Sequence, residues 1–389
     1  MTSASRSSSW PRWAAWGFLL LIFLVINADV IHRPLKHTTM PTYRLAATQW
    51  WMGQDVYNSD RAHDAFLYFP QAAVIFTPFN ILPFYLCEIF WRAVVFGLFA
   101  YALVRLSEVF LSGSVASSGK TFLVLALLAV PSSLASLRNA QFDLPLAALI
   151  VLASMEMARN RWNMATVWLC TAIALKPLAI VPLLLFGALY WKLIPRLIAG
   201  LLIVIAIPFL HWNPAFVAHE YVRCFETLVW AAKADEARYS DLAALISHMG
   251  IYPPDWLKTL VRIIFALVYL GLGFGATRRL SGVHAAWTIG ALSTDYLMLF
   301  NPRTETCSYV FLGPFVASLA LLYARRPDRK WFAFLLGFAA LGFACDAIPY
   351  IHYLTDRWFK PLLALLFLPV LIEFIFGRAI REKESLPAS

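Results

Sequence analysis

The chain has 389 residues, of which 61% are hydrophobic and 14% charged, whereas soluble domains carry about 45–50% apolar and about 25% charged residues. A soluble globular fold is excluded. The net charge of +10 comes with no nucleic-acid motif and no basic run interleaved with aromatics, so nucleic acid is excluded as a partner and the positions of Lys and Arg become a question of membrane topology.

The recurring apolar runs are roughly 15 to 20 residues long, enough for a helix to span most of a ~30 Å hydrocarbon core. Runs such as Leu197 to Leu210 are apolar on every face, which excludes the strict alternation of a transmembrane barrel strand. The expected fold is an all-α polytopic membrane protein forming a single domain over residues 1–389. In chain order, spans are predicted near 13–28, 86–106, 121–137, 142–157, 164–176, 177–191, 196–210, 258–276, 283–300, 308–323, 331–345 and 359–377. The first has no small-residue cleavage pattern after Val25 and reads as an uncleaved span.

Twelve spans place Arg6 and Arg12, Arg105 and Lys120, Arg159 and Arg161, Lys192 and Arg196, Arg278 and Arg279, Arg325 to Lys330, and Arg378 to Lys383 on one side. Every short loop there is basic, so that side and both termini are cytoplasmic by the charge bias. The long segments 29–85 and 211–257 fall outside. Within the first, Phe69 to Pro83 is apolar but holds three Pro and reads as a re-entrant or interfacial element. Lys176-Pro177 breaks the 164–191 region into two short spans. No internal repeat relates the halves. Five Cys show no CxxC spacing; Cys87 and Cys170 read as packed side chains, while Cys224, Cys307 and Cys345 lie on the outer side, where one disulfide could form.

Polar groups at membrane depth or in long outer loops are costly and therefore informative. The first outer segment carries Asp29, His32, Arg33, Lys36 and His37, then Tyr43 to Trp51, a helix-like stretch suited to lying on the leaflet. Trp50 and Trp51 read either as interfacial belt residues or as platforms under a sugar ring. The second outer segment mixes His211, His219, Glu220, Arg223 and Glu226 with Lys233, Asp235, Glu236 and Arg238. It reads as amphipathic helices, either solvated or forming a lid over an acceptor. Asp295, deep in the ninth span, requires a partner and is expected to pack against Ser293, Thr294 or another helix.

Tyr43-x-x-Ala46-Ala47, Gly53-x-x-x-Tyr57, Phe66-x-Tyr68-x-Pro70, Pro78 and Leu82-Pro83 are followed by Asn139 to Asp143, Ala174 to Pro177 and Asn301 to Thr304. In this order the pattern resembles glycosyltransferase family 87, polyprenyl-phosphate-mannose-dependent mannosyltransferases of the GT-C superfamily, over roughly residues 13–325. The resemblance implies a GT-C type fold of about twelve transmembrane helices, and a site on the outer face using a flipped lipid-linked donor.

Such transfer needs a carboxylate to take the acceptor's proton and cations to hold the leaving phosphate. Where the family places its Asp, before the Tyr-x-x-Ala-Ala stretch, this chain has Thr39, Met40, Pro41 and Thr42. Asp29 is the nearest substitute and Glu305 the second candidate, with Asp55, Asp60 and Asp64 behind them. The His that follows the Pro turn in many members is also missing; Arg303 and Glu305 could instead pair with each other.

Lys176, Arg303 and Arg138 are the expected phosphate ligands, with snorkelling to headgroups as the alternative for Lys176 and Arg138. Gln141 and Asp143 would hold sugar hydroxyls, and Tyr43, Trp50 and Tyr68 complete the expected substrate contacts. The implied substrates are a polyprenyl-phosphate hexose and a glycolipid or polysaccharide acceptor, in contact with membrane lipids. A metal requirement stays open, and the family's distribution points to a bacterial inner membrane. A twelve-span secondary transporter and a lipid-linked polysaccharide ligase or polymerase are the alternatives; the missing repeat and the asymmetric outer segments argue against the transporter.

Overall fold

The computed structural model describes residues 10–33, 35–36, 38–57, 66–111, 118–231 and 239–377. Asp60, Asp64, His37, the charges from Lys233 to Arg238, Arg6 and the basic residues from Arg378 to Lys383 lie outside them. Among the described residues every regular element is a helix: α1 (Trp10–His32), α2 (Met40–Trp51), α3 (Pro70–Asn80), α4 (Phe84–Val109), α5 (Ser118–Ala129), α6 (Leu134–Arg138), α7 (Asp143–Ala158), α8 (Trp162–Leu175) and α9 (Ile180–Leu189). They continue as α10 (Ile194–Ala206), α11 (Pro214–Ala231), α12 (Leu242–His248), α13 (Asp255–Arg279), α14 (Gly282–Phe300), α15 (Gly313–Ala324), α16 (Lys330–Gly342), α17 (Pro349–Thr355) and α18 (Phe359–Phe376).

Each of the twelve predicted spans contains a helix, and eight stretches are long and apolar enough to cross a membrane. The four that fall short are α7, α8, α9 and α14. The 16 residues of α7 reach about 24 Å, and α14 carries Asp295. Both are almost wholly buried, so they face other helices, and the demand for length and hydropathy is relaxed. Tyr269 of α13 donates to Asp295 at 2.5 Å, which makes another helix its partner; the Ser293 and Thr294 hydroxyls donate to backbone carbonyls instead. The helix α3 is 11 residues long, too short to cross, and packs against α2, α4, α8 and α11.

Polar contacts sort by the two ends of the bundle. Arg105 meets Glu108 and Glu156 (2.8 and 3.3 Å), Arg196 meets Asn163 (2.8 Å), Arg325 the Leu111 carbonyl (2.6 Å) and Arg329 Glu373 (2.6 Å). All join segments that the charge pattern puts inside. At the other end Gln141 meets Glu305 (2.8 Å), Ser240 N the Thr304 carbonyl (2.7 Å) and Lys360 the Thr306 carbonyl (2.9 Å). The contacts at each end thus join segments that the charge pattern groups on one side.

The second end is organised by a broken helix. Pro131 ends α5 in a 3-10 turn, Val130–Ser133, before the short α6. The chain then turns at Ala140, in the left-handed region at φ 56°, and enters α7. The exposed carbonyls of this turn are met from neighbouring elements. Arg92 of α4 donates Nε to the Leu137 carbonyl (3.0 Å) and Nη2 to that of Arg138 (2.6 Å). Thr39 N and Oγ1 each donate to the Asn139 carbonyl at 3.0 Å, and Trp91 Nε1 to that of Ala140 at 3.0 Å. Buried Glu88, one turn before Arg92, balances its charge. Arg92→Leu should cost about 3–5 kcal/mol, because Glu88 is left buried and unpaired. Thermal unfolding of the solubilised protein should show a large fall in Tm, only part of it recovered in Glu88→Leu/Arg92→Leu, because the Leu137 and Arg138 carbonyls lose their Arg92 donors in both.

Candidate functional site

Two turns supply most of the polar groups at that end. The first delivers Gln141, Phe142 and Asp143; the second, residues 301–308, follows α14. Thr304 holds the second turn by donating Oγ1 to the carbonyls of Leu297 (3.2 Å) and Asn301 (3.0 Å). Lys176 arrives from a third direction, in the turn outside both α8 and α9. Pro177 disfavours helical backbone at the residue before it, and Lys176 is extended at φ −147°, ψ 133°. That geometry ends α8 and points the side chain across to α7.

The three segments meet at Asp143. Its Oδ1 takes the Lys176 ammonium, and its Oδ2 accepts from Ser308 Oγ at 2.9 Å. Asp143 is fully buried, so this pairing is what makes a carboxylate there tolerable. Burial alone would lower the Lys176 pKa, but Asp143 and Glu305 beside it outweigh that and hold it above the ordinary lysine range. Glu305 is exposed on its other side; its Oε2 accepts from Gln141 Nε2 at 2.8 Å and from Cys307 Sγ at 3.3 Å. Cys307 also contacts Gln141 Oε1.

A cavity of about 200 Å³ opens over this cluster, lined among others by Tyr68, Lys176, Arg303, Glu305, Leu228 and Ala231. Arg303 lies over the rings of Tyr239 (5.2 Å) and Trp230 (5.9 Å). The expected Arg303–Glu305 ion pair is not formed: Glu305 turns to Gln141, and Arg303 has no carboxylate partner among the described residues. Its guanidinium is thus held by stacking while its donors remain available to the cavity. Tyr43 sits one layer deeper, its hydroxyl 3.1 Å from that of Tyr68 and accepting from Phe142 N at 3.3 Å. Burial, with the neighbouring Tyr68 hydroxyl second, pushes the Tyr43 hydroxyl well above the usual tyrosine range, so it stays protonated.

The remaining expected residues lie elsewhere. Asp29 is on α1 with its side chain 48% exposed, 3.9 Å from Arg33, and joins no contact of the cluster. Arg138 presents its carbonyl to Arg92 and buries Nε without a partner, but it does not line the cavity. Trp50 is fully buried against His211 (5.7 Å) and Phe216 (5.2 Å). It has no open face for a sugar; with Trp51, which stacks on His211 at 5.9 Å, it fastens α2 to the 211–216 segment. The five cysteines are all free thiols, so the outer disulfide is absent; Cys224 and Cys307 sit in separate hydrogen-bonded sites. Cys307, which the sequence marks only as an outer cysteine able to form a disulfide, and Ser308, the first residue of a predicted span, are site residues that the sequence did not assign to the site.

Among the described residues, two groups of side chains have the donor atoms for a metal ion, each with ligand atoms within 4.8 Å of one another: Asp143, Glu305 and Cys307, and Asp55, His219 and Glu220. In the first, the Lys176 ammonium already supplies the positive charge.

The fold and this site define an integral-membrane protein with a charged cavity at one end of a helical bundle. A family model, glycosyltransferase family 87, matches residues 66–302, more than half of the chain. The chain belongs to that family and is a membrane glycosyltransferase. The match takes in Tyr68, Arg138, Gln141, Asp143 and Lys176, and stops short of Arg303 and Glu305. A search of curated proteins gives no match.

The Lys176–Asp143 pair should behave as a structural unit. Lys176→Met should destabilise by about 3–5 kcal/mol, and Asp143→Leu/Lys176→Met by less than either single change. Because the folded-state lysine pKa is raised, the stabilisation is fully present below the ordinary value of 10.5 and is lost only as pH rises through the raised one. The Tm difference between wild type and Lys176→Met should therefore not shrink as pH rises from about 6 to about 9; a difference that falls with rising pH in that range would exclude the ion pair.

Proposed function

We propose that the protein transfers a hexose, mannose first among them, from a polyprenyl-phosphate donor to a glycolipid or polysaccharide acceptor at the outer face of a bacterial inner membrane, with both termini cytoplasmic. The observation that carries this reading is the cavity holding two cations, Lys176 and Arg303, and one accessible carboxylate, Glu305. A phosphodiester needs the cations and an acceptor hydroxyl needs the carboxylate.

Glu305 would take the proton from the acceptor hydroxyl as that oxygen attacks the anomeric carbon. The bond from this carbon to the phosphate oxygen breaks on the opposite side, the electron pair leaves with the phosphate, and configuration inverts. Lys176 and Arg303 would neutralise the departing phosphate, Asp143 orients Lys176, and Gln141 with Cys307 fixes the Glu305 carboxylate. Donors that are already positioned when charge develops act without the cost of reorganisation. Of the two leading candidates for the base, the contacts favour Glu305 over Asp29.

The test uses protein in nanodiscs, polyprenyl-phosphate sugars labelled in mannose, glucose or arabinose, and a total lipid extract. Label should move from the mannosyl donor into a new lipid. Glu305→Gln should lower kcat by about 10²–10⁴-fold, while Asp29→Asn should stay within about twofold of wild type; the reverse ranking would make Asp29 the base. Transfer only from a diphosphate-linked oligosaccharide would instead make the protein a ligase or polymerase. Arg303→Leu should raise the donor KM about tenfold, as expected for loss of about 1.4 kcal/mol of phosphate binding.

A further inference from the structure

Away from the cavity, the loop after α2 and the helix α11 meet through a second cluster of ionisable groups. Asp55 accepts from Tyr57 N at Oδ1 (2.8 Å) and from Arg223 Nε at Oδ2 (3.0 Å). Arg223 Nη1 also donates to Glu226 at 2.7 Å. Glu220 is fully buried; its Oε2 accepts from Val56 N at 3.0 Å, and its Oε1 is buried with no partner. His219 is the exposed member, and one donor atom from each of Asp55, His219 and Glu220 lies within 4.8 Å of the others.

An orphaned carboxylate oxygen beside a second carboxylate is costly unless something positive joins it. Arg223 is bonded to Asp55 and Glu226 and gives Glu220 no hydrogen bond. Each Asp55 oxygen accepts one bond and keeps a second lone pair. Ligands on an ion with bonds of about 2.1 Å stand about 3 to 4 Å apart, so donor atoms within 4.8 Å of one another are close to a bound set but slightly wide of it. Small rotations of the exposed His219 and partly exposed Asp55 would close the set.

We propose that Asp55, His219 and Glu220 form a divalent-cation site, with the imidazole and two carboxylates as ligands and water in the remaining positions. One imidazole with two carboxylates suits an ion of the zinc or manganese kind. The ion would tie the 52–57 loop to α11. That helix contributes Leu228 and Ala231 to the cavity, and Tyr57 in the same loop donates its hydroxyl to the Tyr68 carbonyl at 2.8 Å. The site thus fastens an element that walls the cavity without supplying a reacting group. It stands independently of the transfer chemistry, and its readout is ion binding.

The experiment is calorimetric titration of full-length, chelator-treated protein in nanodiscs with Zn²⁺, and separately with Mn²⁺, at fixed pH. One ion per chain should bind, with a rise in Tm, and His219→Ala and Glu220→Gln should each weaken binding at least tenfold. Glu220→Gln preserves the side-chain volume and an acceptor for Val56 N, and His219 is exposed, so both variants should fold; their ion-free Tm values check this. Cys307→Ser, in the other group of potential ligands, should bind as wild type does. Wild-type protein that takes up neither ion would overturn the proposal. So would His219→Ala and Glu220→Gln proteins that bind with unchanged stoichiometry and affinity.

Discussion

The structure depends on satisfying backbone polar groups where a helix is interrupted inside a low-dielectric bundle. The turn that ends α6 and begins α7 frees carbonyls that no water in a hydrocarbon core could take. Arg92, Trp91 and Thr39 meet them, and Glu88 balances the arginine. The turn is therefore held from α4 on one side and from the approach to α2 on the other. Gln141 and Asp143 occupy fixed positions because their backbone does.

From that fixed turn the electrostatics of the site follow. A fully buried Asp143 is acceptable only with a cation and a hydroxyl on it, and Lys176 and Ser308 provide them from two other elements. The same Lys176 feels Glu305, which Gln141 and Cys307 orient. Opposite charges are concentrated on one side of a cavity whose other wall, from α11, is apolar. Such a wall lowers the local dielectric and makes each charge count for more.

Much of this was legible in the chain. Continuous apolar runs identify the helices, and Lys176, Gln141, Asp143, Arg303 and Glu305 gather at one end of the bundle. The exceptions share a cause. Trp50 sits in an aromatic stretch, but periodicity could not reveal that His211 and Phe216 close over it. Asp29 and Glu305 look equivalent as carboxylates near helix ends, yet only one borders the cavity. Cys307 and Ser308 belong to a 3-10 segment, Thr306–Phe311, whose residues resemble the start of an ordinary span.

What the sequence alone determined is the solvent of this protein and where its helices lie along the chain. Composition and the placement of Lys and Arg act locally, through hydrocarbon transfer and the charge of short loops, and need no knowledge of which helices touch. Tertiary structure alone decided the pairings: Lys176 with Asp143, Gln141 with Glu305, Arg303 between Trp230 and Tyr239, and Glu220 with one oxygen left over. These join residues between 33 and 164 positions apart in the cases of Lys176 with Asp143 and Gln141 with Glu305. They exist because packed helices bring their ends together, a relation that no local pattern in the chain records.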